Sequence, residues 1–186
     1  SETLIEHRCA PMCTVPCSRV THVGFMGDDH RVRTYDWDQI LTEAAGPLGI
    51  AYGDDLIQGA ELPTAVVMGA DIVRTLGQMV PSVLQHLFVD DYWKALGTGT
   101  GRLHYVPDVV IEHMHPSAGK AETDESYEVT NHPDRYESDG AAWREYRDGG
   151  ALRVDIDDLL ALSERYAWRG VTAIPTDIEY PQEDAA

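Results

Sequence analysis

Basic residues are scarce: 14 Lys and Arg stand against 32 Asp and Glu, for a net charge of −18. Lys and Arg supply most of the affinity for phosphate backbones, so this balance opposes non-specific nucleic-acid binding. It disfavours anionic membrane surfaces equally. The plain reading of such a surface is solubility. Long apolar runs are lacking too, and none approaches the roughly 18 residues of a membrane-spanning helix. The basic, apolar, small-residue pattern of a signal peptide does not open the chain. There is no internal repeat and no low-complexity tract. Cysteine is confined to Cys9, Cys13 and Cys17, all within CAPMCTVPC. An odd number in so short a cluster makes no disulfide framework. Pro11 and Pro16 keep a regular helix from aligning the sulfurs, and no fourth soft ligand stands nearby. Reduced thiols in a cytoplasmic protein are therefore expected, rather than a metal or iron–sulfur centre.

What is present suits one folded domain. The chain has 186 residues, 43% of them apolar, with four Trp and nine Tyr, which is enough for a single core and too short for two. Residues 1–20 read as an irregular lead-in, 21–170 as one domain and 171–186 as a tail. Residues 21–27 read as a strand running into the Gly27-Asp28-Asp29 turn. TYDWDQILTEAAGPLGI reads as a helix, with Thr34 or Asp36 as N-cap and a stop at Gly46-Pro47. Trp37, Ile40, Leu41 and Ala44 share its apolar face. GIAYGDD is a second short strand, and AVVMG a third that leads into the helical ADIVRTLG. PSVLQHLFVDDYWKALG reads as a helix or helix–turn ending at Gly97. GRLHYVPDVVIEHMHP carries the clearest strand signal and is stopped by Pro116. From Asp139 to about Trp168 the pattern is helical. This alternation predicts an α/β class with a mixed sheet flanked by helices.

In such sheets ligands bind at the carboxyl ends of strands, where Asp28, Asp29, Asp55 and His113 fall. Asp28-Asp29-His30 follows an apolar strand directly, and two adjacent carboxylates held there repel each other and lose hydration. A hard divalent cation shared with a substrate diphosphate resolves that conflict; a capping Asp28 and a solvated Asp29 would equally explain a turn. His113 and His115 alternate to one face of their predicted strand. An imidazole beside two carboxylates suits Mn²⁺ or Zn²⁺, whereas a packed, hydrogen-bonded His is the plainer alternative. Asp90 and Asp91 sit between apolar neighbours. A partly desolvated carboxylate beside a substrate hydroxyl is a natural general base, and Asp91 would serve equally as a helix cap.

Taken in order, GFMGDDH, YGDDL, LPT, HLFVDDYWKALG, YVPDVVIEHMHP and GKAETDESY resemble the glycosyltransferase-A type fold. Over about residues 23–131 the chain is most similar to the family-two-like inverting transferases of actinobacteria and their phages. The resemblance implies a partial, Rossmann-like glycosyltransferase-A domain using a nucleotide-sugar donor, UDP-linked, with Mn²⁺ or Mg²⁺. It implies that Asp28 and Asp29 stand at the metal and diphosphate motif and that Asp91 or Asp90 is the catalytic base. It further implies that His113, or else His115, completes the metal shell. Arg31 and Lys120 are then donor-binding residues, Lys120 in a segment that closes over the phosphates. A complete domain of this type carries βαβ units for the nucleoside before the Asp motif; here 27 residues precede Asp28. The sheet edge left open by that gap is expected to be covered by residues 1–20 folding back or by a second copy in a homo-oligomer. The rival readings are a metal-dependent phosphoester hydrolase and a non-catalytic binding or assembly module.

Overall fold

Two strands with no wet face organise the chain. Every residue of β5 (Val66–Gly69) is buried, as are the first four of β4 (Ile50–Asp54), the pattern of strands covered on both sides. The computed structural model describes residues 2–6, 20–122 and 131–168. It contains a six-stranded sheet in the order β1-β2-β5-β4-β6-β3. β1 is Glu2–Glu6, β2 Val20–Phe25, β3 His30–Val32 and β6 Leu103–His113. The class is α/β and the sheet is mixed. β1 runs parallel to β2, and β4 parallel to β6, while β5 lies antiparallel to both β2 and β4. β3 pairs antiparallel with the far end of β6.

Alternation along the strands splits the core in two. Ile50, Tyr52, Val66 and Met68 face one side, where they meet Tyr92, Trp93 and Leu96 of α3 (Val89–Gly99) and Ile72 and Val73 of α2 (Ala70–Leu76). Trp143 of α4 (Pro133–Asp148) and Leu152 and Leu159 of α5 (Ala151–Trp168) complete that layer. Ala51, Val67, Val109 and Ile111 face the other side, covered by Leu41 and Ala45 of α1 (Trp37–Ala45). Among the described residues no helix is long and apolar enough to cross a membrane.

Several expectations meet a finer outcome. Glu2–Glu6, inside the stretch read as an irregular lead-in, form β1 on the outer edge of β2. The β2 edge, expected to be covered by residues 1–20 folding back or by a second copy, is thus paired with a strand of the same chain. Asp36 does precede α1, but in a left-handed conformation and without a side-chain cap. Of the stripe expected on α1, Leu41 is fully buried whereas Ile40 is 37% exposed. The helix or helix–turn anticipated from Pro81 to Gly97 is helical only over Val89–Gly99, because residues 86 and 87 donate their amides to the buried carboxylate of Asp139. The helical stretch from Asp139 is two helices, parted at Gly149-Gly150. The three cysteines and the 171–186 tail lie outside the described residues.

Candidate metal centre

Three chain segments meet at the carboxyl end of β2, and backbone hydrogen bonds fix them. The turn after β2 closes through the His30 amide on the Gly27 carbonyl at 3.2 Å. His113, the last residue of β6, donates its amide to Asp55 O at 3.0 Å, and Met114 donates to Asp29 O at 2.8 Å. The β3–β6 ladder sets His30 directly opposite His113. Their rings stack at 4.3 Å between centroids, 14° from parallel.

Asp29 bridges both rings. Its Oδ2 lies 3.0 Å from His113 Nε2, and its Oδ1 lies 3.2 Å from His30 Nδ1. The first contact is a hydrogen bond; the second lacks hydrogen-bond alignment, and His30 Nδ1 is buried with no hydrogen-bond partner. His30 as a whole is only 7% exposed. Asp29, His30 and His113 therefore offer three ligand atoms within 4.8 Å of one another. Gly27 leaves room for them: a Cβ there would stand 2.6 Å from Asp29 Oδ1 and 2.9 Å from His30 Nδ1.

Behind the rings lies Asp55, 2% exposed. Its Oδ1 accepts the backbone amides of Ile57, Gln58 and Gly59 at 2.9, 2.7 and 3.0 Å. Its Oδ2 accepts the Thr64 hydroxyl at 3.0 Å and lies 3.8 Å from His113 Nδ1. Burial opposes ionisation of Asp55, but His113 and the three amides outweigh it and hold the carboxyl well below its ordinary range. The His113 hydrogen bond and then the adjacent His30 ring hold Asp29 lower still. Burial would depress His113; the two carboxylates prevail and push it up to about 9.

The acidic pair of α3 divides its attention. Asp90 is pushed up to about 6, first by burial and then by the charge of Asp91, and the His113 charge acts on it in the opposite direction. Asp91 donates its amide to Asp90 Oδ1 at 3.1 Å, and its charge acts on Arg147 in the last turn of α4. Asp90 is thus the member of the pair on which the His113 charge acts. The His86 ring also lies within reach of the Asp28 and Asp29 charges, with burial keeping it below its ordinary value.

Of the residues singled out from sequence, Asp29 and His113 come together as expected. Asp28 is exposed and contributes its carbonyl, which accepts Arg31 Nη1 at 2.7 Å; the same nitrogen reaches His30 O at 2.7 Å, so Arg31 clamps the turn. His115 lies beyond the end of β6, where its Nδ1 accepts the Ser117 amide and caps the 3-10 turn Pro116–Ala118. Its ring touches that of His113 edge-on at 5.0 Å. Lys120 pairs with Glu112 at 3.1 Å, and Glu112 also holds Arg33 at 2.8 Å.

The residues whose part in the site the sequence left unassigned are His30, Asp55 and Thr64. His30 adjoins the acidic motif, and only the ladder to His113 reveals that its ring turns inward. Asp55 showed itself as a strand-end acid; its partner Thr64 gave no signal. No family model, curated protein or solved structure matches the chain.

Proposed function

We propose that the chain carries the metal- and base-bearing part of a glycosyltransferase that moves a sugar from a nucleotide-sugar donor, UDP-linked, to an acceptor hydroxyl with inversion. The observation that carries this reading is the convergence of Asp29, His30 and His113 at the carboxyl end of β2. The resemblance of the ordered motifs supports it. The residues suit a divalent cation: a buried ring nitrogen without a hydrogen bond faces a carboxylate oxygen, and the absent Cβ of Gly27 keeps the space between them open. One carboxylate with two imidazoles favours Mn²⁺ over Mg²⁺, which prefers an all-oxygen shell. Such an ion supplies positive charge against the diphosphate that leaves.

The chain's own residues account for the rest. Asp90 takes the proton of the acceptor hydroxyl as its oxygen bonds to the anomeric carbon, and the bond from that carbon to the diphosphate breaks with its electron pair. A carboxyl raised to about 6 is a better base near neutrality than an ordinary Asp. The Asp91 charge holds Asp90 up by repulsion. Arg31 keeps the Asp28-Asp29 turn closed. Lys120 reaches donor phosphates only by leaving Glu112. Three thiols without a pairing framework suit the cytoplasm as the compartment.

Thermal unfolding with UDP, with Mn²⁺, and with both tests the reading. UDP is expected to raise the melting temperature only when Mn²⁺ is present, and Asp29→Ala is expected to abolish that rise. UDP protection without metal, or metal-dependent protection that survives Asp29→Ala, contradicts it. Turnover of a generic phosphodiester would instead mark a hydrolase built on the same ligands.

A further inference from the structure

Each imidazole of the candidate metal centre has a second nitrogen, and both second nitrogens face one pair of side chains. His113 Nδ1 lies 3.8 Å from Asp55 Oδ2, and His30 Nε2 lies 3.4 Å from Thr64 Oγ1. Thr64 Oγ1 is itself 3.0 Å from Asp55 Oδ2. Proton accounting along this chain leaves little freedom. An ionised Asp55 only accepts, so the single hydroxyl proton of Thr64 is committed to it. The Thr64 oxygen then accepts from His30, which requires the proton of that ring on Nε2. In the neutral ring Nδ1 is bare, and it is Nδ1 that lies buried without a hydrogen bond, 3.2 Å from Asp29 Oδ1. In His113, Nε2 donates to Asp29 Oδ2 at 3.0 Å while Nδ1 faces Asp55 Oδ2 at 3.8 Å, so a cation that takes Nε2 displaces one proton and leaves the other on Nδ1 beside Asp55.

We propose that Asp55 and Thr64 act as one positioning unit, keeping His30 Nδ1 bare and holding a proton on His113 Nδ1, so that His30 Nδ1 and the Nε2 that His113 gives up converge with Asp29 on a divalent cation. The inference rests on the metal reading above and adds to it the device that makes two stacked imidazoles ligands at once. Outer partners of this kind orient metal-bound histidines and typically change metal affinity by about 10–100-fold when removed. Asp55 itself is tied by three amides of the loop after it, which makes it a poor first target. Thr64 is the cleaner one, since valine keeps its shape and removes only the hydroxyl.

The test uses the full chain with Thr64→Val and Thr64→Ser. Ring nitrogen shifts of ¹⁵N-histidine-labelled, metal-free protein, followed across a pH titration, report the tautomer of neutral His30. The wild type and Thr64→Ser are expected to hold the proton on Nε2, and Thr64→Val to show a mixture. Mn²⁺ affinity, read by electron paramagnetic resonance, is expected to fall by about 10-fold or more in Thr64→Val and to return in Thr64→Ser. A proton on Nδ1 of His30 in the wild type overturns the proposal. So does a Thr64→Val protein with unchanged tautomer and Mn²⁺ affinity, or a loss that serine does not restore. A wild type that binds no Mn²⁺ while its His30 tautomer still answers to Thr64 sinks the metal reading and upholds the tautomer assignment.

Discussion

Asp90 keeps its proton to about pH 6 because α3 buries it beside Asp91. In the unfolded chain the group returns to its ordinary 3.8. Between those values the native state binds more protons, so this group's contribution to stability falls as pH rises from about 4 to about 6. Asp90→Asn removes the buried charge and is expected to stabilise the protein at neutral pH by on the order of 1–2 kcal/mol, the difference vanishing below pH 4. Urea midpoints at pH 4 and pH 7.5 check it; parallel pH dependences in the two proteins would contradict it. In the proposed transfer the same variant is expected to lose turnover by about 10²–10⁴-fold while donor-dependent thermal protection stays, and wild-type turnover should rise with pH through about 6. The acidic pair was legible in the sequence; its division of labour was not. Periodicity gives both residues the first turn of α3, and only the folded chain shows that burial raises Asp90 and that the His113 charge acts on it.

The elements were legible where pattern and punctuation agree. β4, β5, α2 and β6 fall where apolar runs end at Gly or Pro, and Gly77 closes α2 in the left-handed conformation its lack of a side chain permits. They were illegible where a distant partner decides. His113 and His115 share a strand face on a period of two, but β6 ends at His113 and His115 turns to cap the Pro116–Ala118 turn. Residues 81–88 stay irregular because Asp139, some fifty positions away, takes the amides a helix would have used. α3 itself is held by Trp93, fully buried, whose indole donates to Met79 O at 3.0 Å and packs on Phe25 at 5.0 Å. Trp93→Ala is expected to cost about 3–5 kcal/mol. Trp93→Phe should cost less, since it keeps most of the ring packing and loses part of the indole volume and the donor to Met79 O. A phenylalanine variant as unstable as the alanine one, by urea unfolding, would shift the weight from ring packing to that hydrogen bond.

Across the whole molecule, the sheet sets the exposure of its own margins. β1 occupies the outer edge of β2 and uses backbone groups that would otherwise invite another strand. A chain starting at Thr21 is expected to lose stability or to self-associate, as read by melting temperature and by light scattering at low concentration. A monomeric truncation that melts like the full chain would show β1 to be dispensable. The site depends on the opposite margin, where β3 meets the end of β6. Asp29 and His113 stand 84 positions apart, so closing that pair carries a loop-closure cost that local helices do not. Ladders of such long range tend to form late, after the folding barrier. A cation that recognises the closed pair then finds nothing to hold in the transition state. Its stabilisation should appear in the rate of leaving the native state: with Mn²⁺ bound, unfolding slows while refolding proceeds at its metal-free rate. Stopped-flow rates in urea, with and without the ion, would read this directly, and a refolding arm accelerated by Mn²⁺ would place the pair inside the folding nucleus.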